Sequence, residues 1–285
     1  MTDVVLLDGR TARHCLEPEP LLDAISAALV AISRSTVSAP ARVAARAPLG
    51  LLGAMPGYLP GFGLAAKLIS VFEQPASPGR SVHRGVVALF DEDDGRLLCL
   101  IDAEELTALR TAAAATVAMR ALARPEIGRI AVLGNGKQAA AQLELLAATY
   151  SRAADSRPEL VIGARDAARA EALAARFPGG SVTTVEKAVR EAEVVLCCTG
   201  ASEPVVRLDW LSAGTHISSV GSGEEVDPDT VLGARLFVEW RGALTEAPPA
   251  GACELQEIPP ASAHLVGEVL DGIHPGRRSP SELTL

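Results

Sequence analysis

A glycine turn directly after an apolar run constrains the fold of this chain more than any other feature. The run Ile130–Leu133 has the composition of a buried strand, and a helical pattern over Gln138–Tyr150 follows the turn. Glycines at the first and third turn positions permit a tight bend and let backbone N–H groups approach a pyrophosphate, and a small sixth residue lets the helix pack close to the strand. This order predicts dinucleotide binding. The predicted contacts are Gly134, Asn135, Gly136, Lys137, Gln138 and Ala139.

The rest of the second half alternates between strand-like and helix-like segments. Further strands are predicted at Glu159–Ile162, Val182–Thr184, Val194–Thr199, His216–Ser219 and Leu236–Val238. Helices are predicted between several of them, for example over Asp166–Arg176 and Val185–Glu191. Such alternation builds βαβ units with a parallel sheet. The predicted fold class is therefore α/β, with a Rossmann-type, doubly wound domain over residues 113–261.

The first part of the chain has a different pattern, in which strand-like pieces alternate with turn residues. The strands are predicted at Ala41–Ala47, Gly50–Met55, Ala65–Phe72, Gly85–Phe90 and Leu97–Asp102. An amphipathic helix over Pro20–Ser33 precedes them, and an alanine-rich helix over Ala103–Leu122 follows. Residues 1–112 are thus predicted to form an α+β domain with an antiparallel sheet. We expect residues 262–285, with a short helix over His264–Leu270, to return to this domain.

Composition narrows the possible functions. The formal net charge is −9 and no Lys/Arg cluster with interleaved aromatic residues occurs, which argues against nucleic-acid binding. No apolar run reaches the ~18 residues of a membrane-spanning helix, and the N-terminus lacks a signal-peptide pattern. The 5 cysteines lack CxxC spacing, which argues against a disulfide framework and a zinc site. We therefore expect a cytoplasmic protein without a metal and without nucleic-acid or membrane partners.

The tip of the second parallel strand bears on the choice of dinucleotide. An acidic residue there would bond the ribose hydroxyls of NAD, whereas an arginine can pair with the 2′-phosphate of NADP. The tip reads Ala164-Arg165, and Asp166 follows as a candidate helix N-cap. Arg165 favours NADP(H), with NAD(H) as the alternative. Alternatively, Arg165 is a solvated surface residue without a role in cofactor binding.

Four segments together resemble the ornithine cyclodeaminase/mu-crystallin family, and the resemblance extends over nearly the whole chain. The segments are Gly63–Lys67, Leu106–Ala113, Gly134–Ala139 and His216–Ser222. Members bind a small amino or imino acid beside a nicotinamide cofactor. The resemblance implies such a substrate, a homodimer, and a role for residues 1–112 in substrate binding and dimerisation. Relatives continue past Leu285 with a helix that returns to the N-terminal domain, so we expect either a cleft built with less material or a more open site.

The resemblance also implies which side chains act on the substrate. Arg42, Lys67 and Arg110 would clamp its carboxylate, a role that suits cationic donors in a dry cleft. Lys67 could also polarise or protonate the imine nitrogen, provided that burial lowers its pKa. Arg46 competes with Arg42 for its role. His83 could donate a proton, or it could be a hydrogen-bonded structural histidine.

For the cofactor, the resemblance assigns roles to four residues outside the glycine turn. Thr111 would help to seat the pyrophosphate, and Thr199 would lie near the adenosine side. Val220 and Gly221 would lie against the nicotinamide ring. With the turn and Arg165, these residues make up the predicted dinucleotide site.

The loop after Gly221 departs from the cyclodeaminase pattern. Cyclodeaminases have the form G-x-D-x-P-G-K-x-E-L here, and their Asp handles the substrate amine. This chain has a shorter loop with Gly223 in place of that Asp, and Glu224 and Asp227 are the possible substitutes. We therefore expect a reductase of a small ketimine or cyclic imine, or an amino-acid dehydrogenase in the reverse direction. The alternatives are a cyclodeaminase-type lyase that uses bound NAD, and an NADPH- or ligand-binding protein without catalysis.

Overall fold

The structure, a computed structural model, describes residues 4–72, 83–151, 157–177, 179–221, 223–248 and 250–285. The chain divides into two compact units: Met1–Glu17 with Arg34–Arg110, and Pro18–Ser33 with Thr111–Leu285. The division falls inside one helix, near the expected boundary at residue 112. Residues 18–33 and 262–285 group with the second unit, whereas we expected both segments in the first domain.

The first unit is built on a six-stranded sheet. Its elements are β1 (Val5–Leu7), α1 (Gly9–Cys15), β2 (Val43–Ala47), β3 (Gly50–Leu59), β4 (Gly63–Phe72), β5 (His83–Phe90), β6 (Leu97–Asp102) and the start of α3 (Ala103–Leu122). The strand order is β1-β6-β5-β4-β3-β2; β1 is parallel to β6, and the other pairs are antiparallel. This confirms the predicted antiparallel sheet. β1 was not predicted because a three-residue strand is too short to show a period, and the short helix α1 was not predicted either.

Local sequence explains how the end of this sheet leads into α3. Gly95 has a φ of +72° in the turn between β5 and β6, a conformation that favours glycine. Asp102 Oδ1 accepts hydrogen bonds from the backbone N–H groups of Glu104 and Glu105, at 2.9 and 3.0 Å. This cap starts α3 directly after β6. The last strand therefore passes without a loop into the helix that carries the segment Leu106–Ala113.

The second unit contains a five-stranded parallel sheet in the order β11-β10-β7-β8-β9. Its elements are α2 (Pro18–Ser33), the rest of α3, β7 (Arg129–Leu133), α4 (Lys137–Thr149), β8 (Glu159–Gly163), α5 (Ala167–Ala174), β9 (Ser181–Thr183), α6 (Val185–Arg190), β10 (Val194–Cys197) and β11 (His216–Ser219). The chain runs from β7 outward to β9 and then returns to the other side of β7 with β10. This confirms the doubly wound arrangement. Ligands bind to such sheets at the carboxyl ends of the strands, where the order reverses.

Both faces of the central strands of the parallel sheet are buried, which explains why β7 and β10 are apolar runs. Ile130 and Val132 of β7 pack in one hydrophobic cluster, and Ala131 and Leu133 pack in the other. All four side chains are fully buried. With both faces covered, the strand ends and the loops that follow them are the parts of the sheet that remain open to a ligand.

The C-terminal part extends the second unit beyond β11. It contains α7 (Pro228–Gly233), β12 (Leu236–Val238), α8 (Gly242–Thr245), β13 (Ala263–Leu265) and α9 (Val266–Leu270). Residues 283–285 lie between β11 and β12. The backbone N–H groups of Ile217 and Arg235 donate to the carbonyls of Thr284 and Leu283, each at 2.8 Å. These bonds join β12 and β13 to the parallel sheet.

The short helix predicted over His264–Leu270 is partly wrong. Its first residues belong to β13, and α9 begins at Val266. Residues 263–265 find a parallel partner strand in β12, and this pairing overrides the local helical pattern. α9 packs against α2, where a Cβ on Gly267 would overlap the carbonyl oxygen of Leu29. This contact holds both segments in the second unit.

Candidate functional site

Lys67 lies at the middle of β4, opposite Met55 of β3 and Val87 of β5. Its side chain is half-buried, and Nζ donates a hydrogen bond to Thr107 Oγ1 at 2.8 Å. The Thr107 hydroxyl donates in turn to the carbonyl of Ala103, one turn earlier in α3. Because a hydroxyl has one hydrogen, this bond leaves Thr107 as an acceptor for the ammonium group. The sheet and the start of α3 thus orient Lys67.

Three cationic side chains act on one another at this position. The pKa of Lys67 is lowered to about 8, mainly by burial and then by the charges of Arg110 and Arg42. Arg110 lies one helical turn after Thr107 on α3, and Arg42 directly precedes β2. Arg46, the competing candidate, is an exposed residue within β2. Because like charges repel, an anion that binds among these groups is favoured, and a substrate carboxylate suits the arrangement.

Two further residues of the first unit bear on this group. His83 begins β5, and its backbone lies opposite Val71 of β4. The His83 side chain lies outside what the structure describes, so its role stays a prediction. Thr107 was missed by sequence reasoning. The signal was its position three residues before Arg110, since side chains at that spacing share one face of a helix.

The glycine turn follows β7 as predicted, and geometry requires its first glycine. Gly134 has a φ of +114°, and a Cβ there would lie 2.6 Å from the carbonyl oxygen of Cys198. Gly136 precedes α4 without a side-chain cap, and a Cβ there would meet no described atom within 4 Å. Ala139 is fully buried against the sheet. The start of α4 can therefore accept a pyrophosphate. The remaining motif residues are the first two of α4, Lys137 and Gln138.

Asn135 ties the turn to the tip of β8. Its Nδ2 donates to the carbonyl oxygen of Asp166 at 3.1 Å. Asp166 Oδ1 accepts a bond from the backbone N–H of Arg169 at 3.1 Å and so caps α5, as its position in the sequence predicts. Arg165, directly before this cap, has an exposed side chain. The strand tip thus presents an arginine to solvent while the neighbouring carboxylate is used in the helix cap.

Thr199 and Gly221 follow β10 and β11 and are joined by a buried carboxylate. Glu225 is fully buried, and its Oε1 accepts hydrogen bonds from the backbone N–H and the hydroxyl of Thr199, each at 2.6 Å. Its Oε2 accepts from the N–H of Gly221 at 2.7 Å and from the hydroxyl of Ser219 at 2.9 Å. Val220 lies between these two donors and is half-buried. Sequence reasoning noted Glu225 only as part of a motif and missed this role.

The loop after β11 has no room for the cyclodeaminase aspartate. A Cβ on Gly223 would overlap the carbonyl oxygen of Ala201. Of the two possible substitutes, Asp227 accepts a bond from the backbone N–H of Thr230 at 2.9 Å and caps α7. Glu224 is exposed. Position 223, which we expected to correspond to the cyclodeaminase Asp, is therefore closed to a side chain in this backbone.

Three further observations concern Thr111, metals and membranes. Thr111 is the first residue of the second unit and is buried on α3. No group of His, Cys, Asp and Glu side chains in the described ranges could hold a metal ion. Among the same residues, every helix is too short or too polar to cross a membrane.

The predicted residues thus form two groups. The substrate candidates Arg42, Lys67 and Arg110 belong to the first unit. In the second unit, the glycine turn, Arg165, Thr199, Val220 and Gly221 all follow the carboxyl ends of parallel strands. Comparison with known proteins then assigns the chain: the ornithine cyclodeaminase/mu-crystallin family profile matches residues 4–285. The chain belongs to this family. The resemblance seen in the sequence motifs is confirmed.

Relatives in this family include several named reductases. Ketimine reductase mu-crystallin of Mus musculus is 31% identical over 237 residues, which are 79% of this chain and 72% of that protein. Delta(1)-pyrroline-2-carboxylate reductase of Paracoccus denitrificans is 28% identical over 257 residues, 84% of this chain and 78% of that protein. The structure of Thermococcus litoralis Delta(1)-pyrroline-2-carboxylate reductase in complex with NADH and L-proline has a TM-score of 0.86 at 23% identity, covering 99% of this chain and 91% of that one. This likeness confirms the fold.

Proposed function

We propose that this protein is a nicotinamide-dinucleotide-dependent oxidoreductase that reduces the C=N bond of a small imino acid, a ketimine or a cyclic imine. The reverse reaction is the oxidation of the corresponding amino acid. The observation that carries the proposal is the group of Lys67, Arg110 and Arg42, in which burial and then the two neighbouring charges lower the pKa of Lys67 to about 8. Relatives named for pyrroline-2-carboxylate and ketimine reduction support it.

The proposed chemistry uses these three side chains on one substrate. Its carboxylate binds Arg42, Lys67 and Arg110, because guanidinium groups match a carboxylate with paired hydrogen bonds. With a pKa of about 8, Lys67 is mostly protonated at neutral pH and protonates the imine nitrogen; His83 is the alternative donor. A bound reduced nicotinamide supplies a hydride. The α-carbon takes the hydride, the C=N π pair moves to nitrogen, and the product is an amine.

The second unit has the features that a dinucleotide needs. The open start of α4 after Gly136 suits the pyrophosphate, with Thr111 as a further contact. Thr199 is proposed to lie near the adenosine side, and Val220 with Gly221 against the nicotinamide. We propose a preference for NADP(H) over NAD(H), because the exposed Arg165 can pair with a 2′-phosphate.

The closed position at Gly223 favours reduction over cyclodeamination. Cyclodeaminases place a carboxylate there for the substrate amine, and here a side chain would overlap the Ala201 carbonyl. Asp227 is engaged as the cap of α7. A lyase reaction would therefore lack the group that handles the amine.

The test is a turnover panel on the purified full chain. Δ1-pyrroline-2-carboxylate, piperideine-2-carboxylate and pyruvate with methylamine are each offered with NADPH and with NADH, and nicotinamide absorbance is followed. L-Ornithine with NAD⁺ is assayed in parallel for ammonia. Reductase activity predicts a loss of NADPH with an imine. Ammonia release without net change in absorbance would identify a lyase, and NADPH binding without turnover would identify a binding protein.

A matched pair of lysine variants ties any activity to the first unit. Lys67→Ala removes the half-buried lysine of β4, whereas Lys187→Ala removes an exposed lysine of α6. We expect Lys67→Ala to lower kcat/KM by about 100-fold or more, as the loss of a catalytic proton donor does. Lys187→Ala should behave like the wild type. Full activity of Lys67→Ala would overturn the proposed site.

We also propose that the protein is a homodimer. β2 is an edge strand whose five residues are all exposed, and Leu49 and Leu52 beside it are 69% and 53% exposed. An apolar sheet edge of this kind is favourably covered by another chain. Light scattering after size exclusion should give twice the chain mass of 29.5 kDa, and a monomer would contradict the proposal.

A cytoplasmic location is proposed from the cysteines. Among the described residues, Cys15, Cys99, Cys197, Cys198 and Cys253 are free thiols. Free thiols persist in reducing compartments. Fractionation of the source cells with an antibody to the chain tests the location.

A further inference from the structure

Glu225 is a buried carboxylate at the carboxyl ends of two neighbouring strands. Its two oxygens accept three hydrogen bonds from Thr199 and Gly221, and they face the Ser219 hydroxyl, which lies 2.9 Å from both Glu225 Oε2 and Glu254 Oε1. An ionised carboxylate has about four acceptor positions; Thr199 and Gly221 fill three of them, and the fourth shares the single Ser219 hydrogen with Glu254. Because Glu225 is fully buried, it does not touch a ligand itself.

The donors belong to the segments to which the proposed function assigns the cofactor. Thr199 also contacts the glycine turn, since a Cβ on Gly134 would lie 3.4 Å from Thr199 Cγ2. A Cβ on Gly221 would overlap the Glu225 carboxyl group, so residue 221 must be glycine where Glu225 is present. The ladder between β10 and β11 ends with the bond from the Val220 N–H to the Cys197 carbonyl, and the carboxylate joins the segments that follow the two strands beyond it.

We propose that Glu225 is a positioning residue of the dinucleotide site, which holds Thr199 on the adenosine side and Gly221 on the nicotinamide side at one spacing. This inference rests on the proposed function. A dinucleotide that spans both sides needs that spacing, whereas a fragment that binds on one side does not. Small displacements of such contacts cost affinity and rate.

Glu225→Gln is the informative variant because it keeps the shape and changes the acceptors. The amide offers one oxygen, and its NH₂ group has to face either the N–H of Thr199 or the N–H of Gly221. Backbone donors cannot rotate away, so one strand end is pushed outward. We expect the Kd for NADPH to rise about tenfold or more, the size of a lost charge-assisted hydrogen bond. We expect the Kd for ADP-ribose, or for its 2′-phosphate, to change much less.

Glu193→Gln is the matched control. Glu193 Oε2 accepts a bond from the backbone N–H of Arg129 at 2.7 Å, at the amino end of the same sheet. Glu193 is thus also a carboxylate that accepts a backbone hydrogen bond, but it lies at the opposite end of the strands from the cofactor segments. Its substitution should leave the affinities for NADPH and ADP-ribose unchanged even if it lowers the melting temperature.

The readouts are nicotinamide fluorescence on NADPH binding, ADP-ribose affinity by calorimetry, and kcat with an imine. Selective loss of NADPH affinity in Glu225→Gln supports the proposal. The proposal is overturned if Glu225→Gln binds NADPH as tightly as the wild type does. It is also overturned if the variant loses affinity for NADPH and for ADP-ribose to the same extent, because that result shows a merely structural role. If Glu225→Gln does not fold, Glu225→Asp is measured instead. The Asp side chain keeps the charge but is shorter, so we expect the same selective loss of NADPH affinity. If the wild type binds no dinucleotide, it is the proposed function that fails.

Discussion

Lys67 illustrates how one side chain acquires a property that its residue type does not have. Burial in the sheet and the charges of Arg110 and Arg42 lower its pKa to about 8. A lysine with that pKa can both attract a carboxylate and exchange a proton near neutral pH. The charge state of this residue should therefore be visible in ligand binding.

Carboxylate binding is expected to weaken as the pH rises through about 8. Below that pH the Lys67 ammonium is charged and attracts the anion, and above it the amine is neutral. Cyclopentanecarboxylate is a suitable probe because it has no titrating nitrogen and stays ionised over the range. Its Kd, measured by calorimetry from about pH 6 to pH 10, should rise across the transition.

Lys67→Arg is the control for this titration, because a guanidinium stays charged over the whole range. Its binding profile should be flat where that of the wild type rises. A flat profile for the wild type would mean that Lys67 does not hold the carboxylate.

Arg165→Ala is expected to change the choice of cofactor. Removal of the exposed arginine at the tip of β8 should raise KM for NADPH about tenfold or more and leave KM for NADH nearly unchanged. The control is Arg176→Ala, an exposed arginine just after α5 that pairs with Glu144. Equal wild-type kinetics with both cofactors would contradict the role given to Arg165.

At the scale of elements, the loop between β11 and α7 supports the proposed reductase over a cyclodeaminase. The loop passes so close to residue 201 that only a glycine fits at position 223. The end of the loop is held by the Asp227 cap of α7. Backbone packing, and not the mere absence of an acidic residue, thus keeps a carboxylate out.

Gly223→Asp should therefore not produce a cyclodeaminase. The new side chain has to displace the Ala201 carbonyl, which we expect to lower the free energy of unfolding by about 1–3 kcal/mol. Denaturant unfolding measures that loss, and an ammonia assay with L-ornithine measures the activity. The neighbouring exposed position supplies the control, Glu224→Ala. A stable Gly223→Asp variant that releases ammonia would show that the loop can accept the family's Asp.

Elements with a clear period were predicted closely, and short elements were not. β6, α3, β11 and β12 have the predicted bounds. β6 and β12 are largely apolar runs and α3 is a long helical pattern, whereas β11 has Ile217 as its one apolar residue and lies in a segment that resembles the family. The residues of β13 from His264 onward were predicted as helix, and the strand pairing of β13 depends on β12, whose residues pair with partners 27 positions later, as Leu236 does with Ala263. A local pattern carries no information on such a partner.

At the scale of the whole molecule, His216 shows how distant segments form one buried group. Its ring nitrogens lie 2.9 Å from Thr284 Oγ1 and 3.1 Å from Ser218 Oγ. Arg277 Nη2 donates to the same Thr284 hydroxyl at 3.0 Å. Burial, with the charge of Arg277, lowers the pKa of His216 to about 3. His216 is thus neutral in the folded protein.

The protein should lose stability as the pH falls below about 6.5, the ordinary pKa of histidine. In that range the unfolded chain takes up a proton on His216 and the folded chain does not, down to about pH 3. The contribution of this one group is about 1.4 kcal/mol per pH unit. It is measured as the difference in unfolding free energy between the wild type and His216→Gln from neutral to acidic pH. His14→Gln, at an exposed histidine of α1, should leave the pH dependence unchanged.

The sequence predicted part of the candidate site. The physical reason for success or failure differs between the cofactor residues of the second unit and the substrate residues of the first. The glycine turn and the Asp166 cap have local sequence signatures, so their order in the chain is enough to find them, although the Cys198 contact of Gly134 and the bond from Asn135 to Asp166 are long-range. Lys67 and Arg110 were found through a family motif, but the Thr107 bond that orients Lys67 joins residues 40 positions apart. Glu225 was overlooked for the same reason, since its donors lie on two other segments.

The sequence by itself determined the strand–turn–helix order of the parallel domain, the antiparallel sheet before it, and the family to which the chain belongs. These follow from periodicity, glycine and proline placement, and local motifs, which act over a few neighbouring residues. The tertiary structure decided the lowered pKa of Lys67, the closed position at Gly223, and the carboxylate that joins the ends of β10 and β11. Each of these arises where segments distant in the chain pack together, because burial and charge depend on what surrounds a group and not on what precedes it.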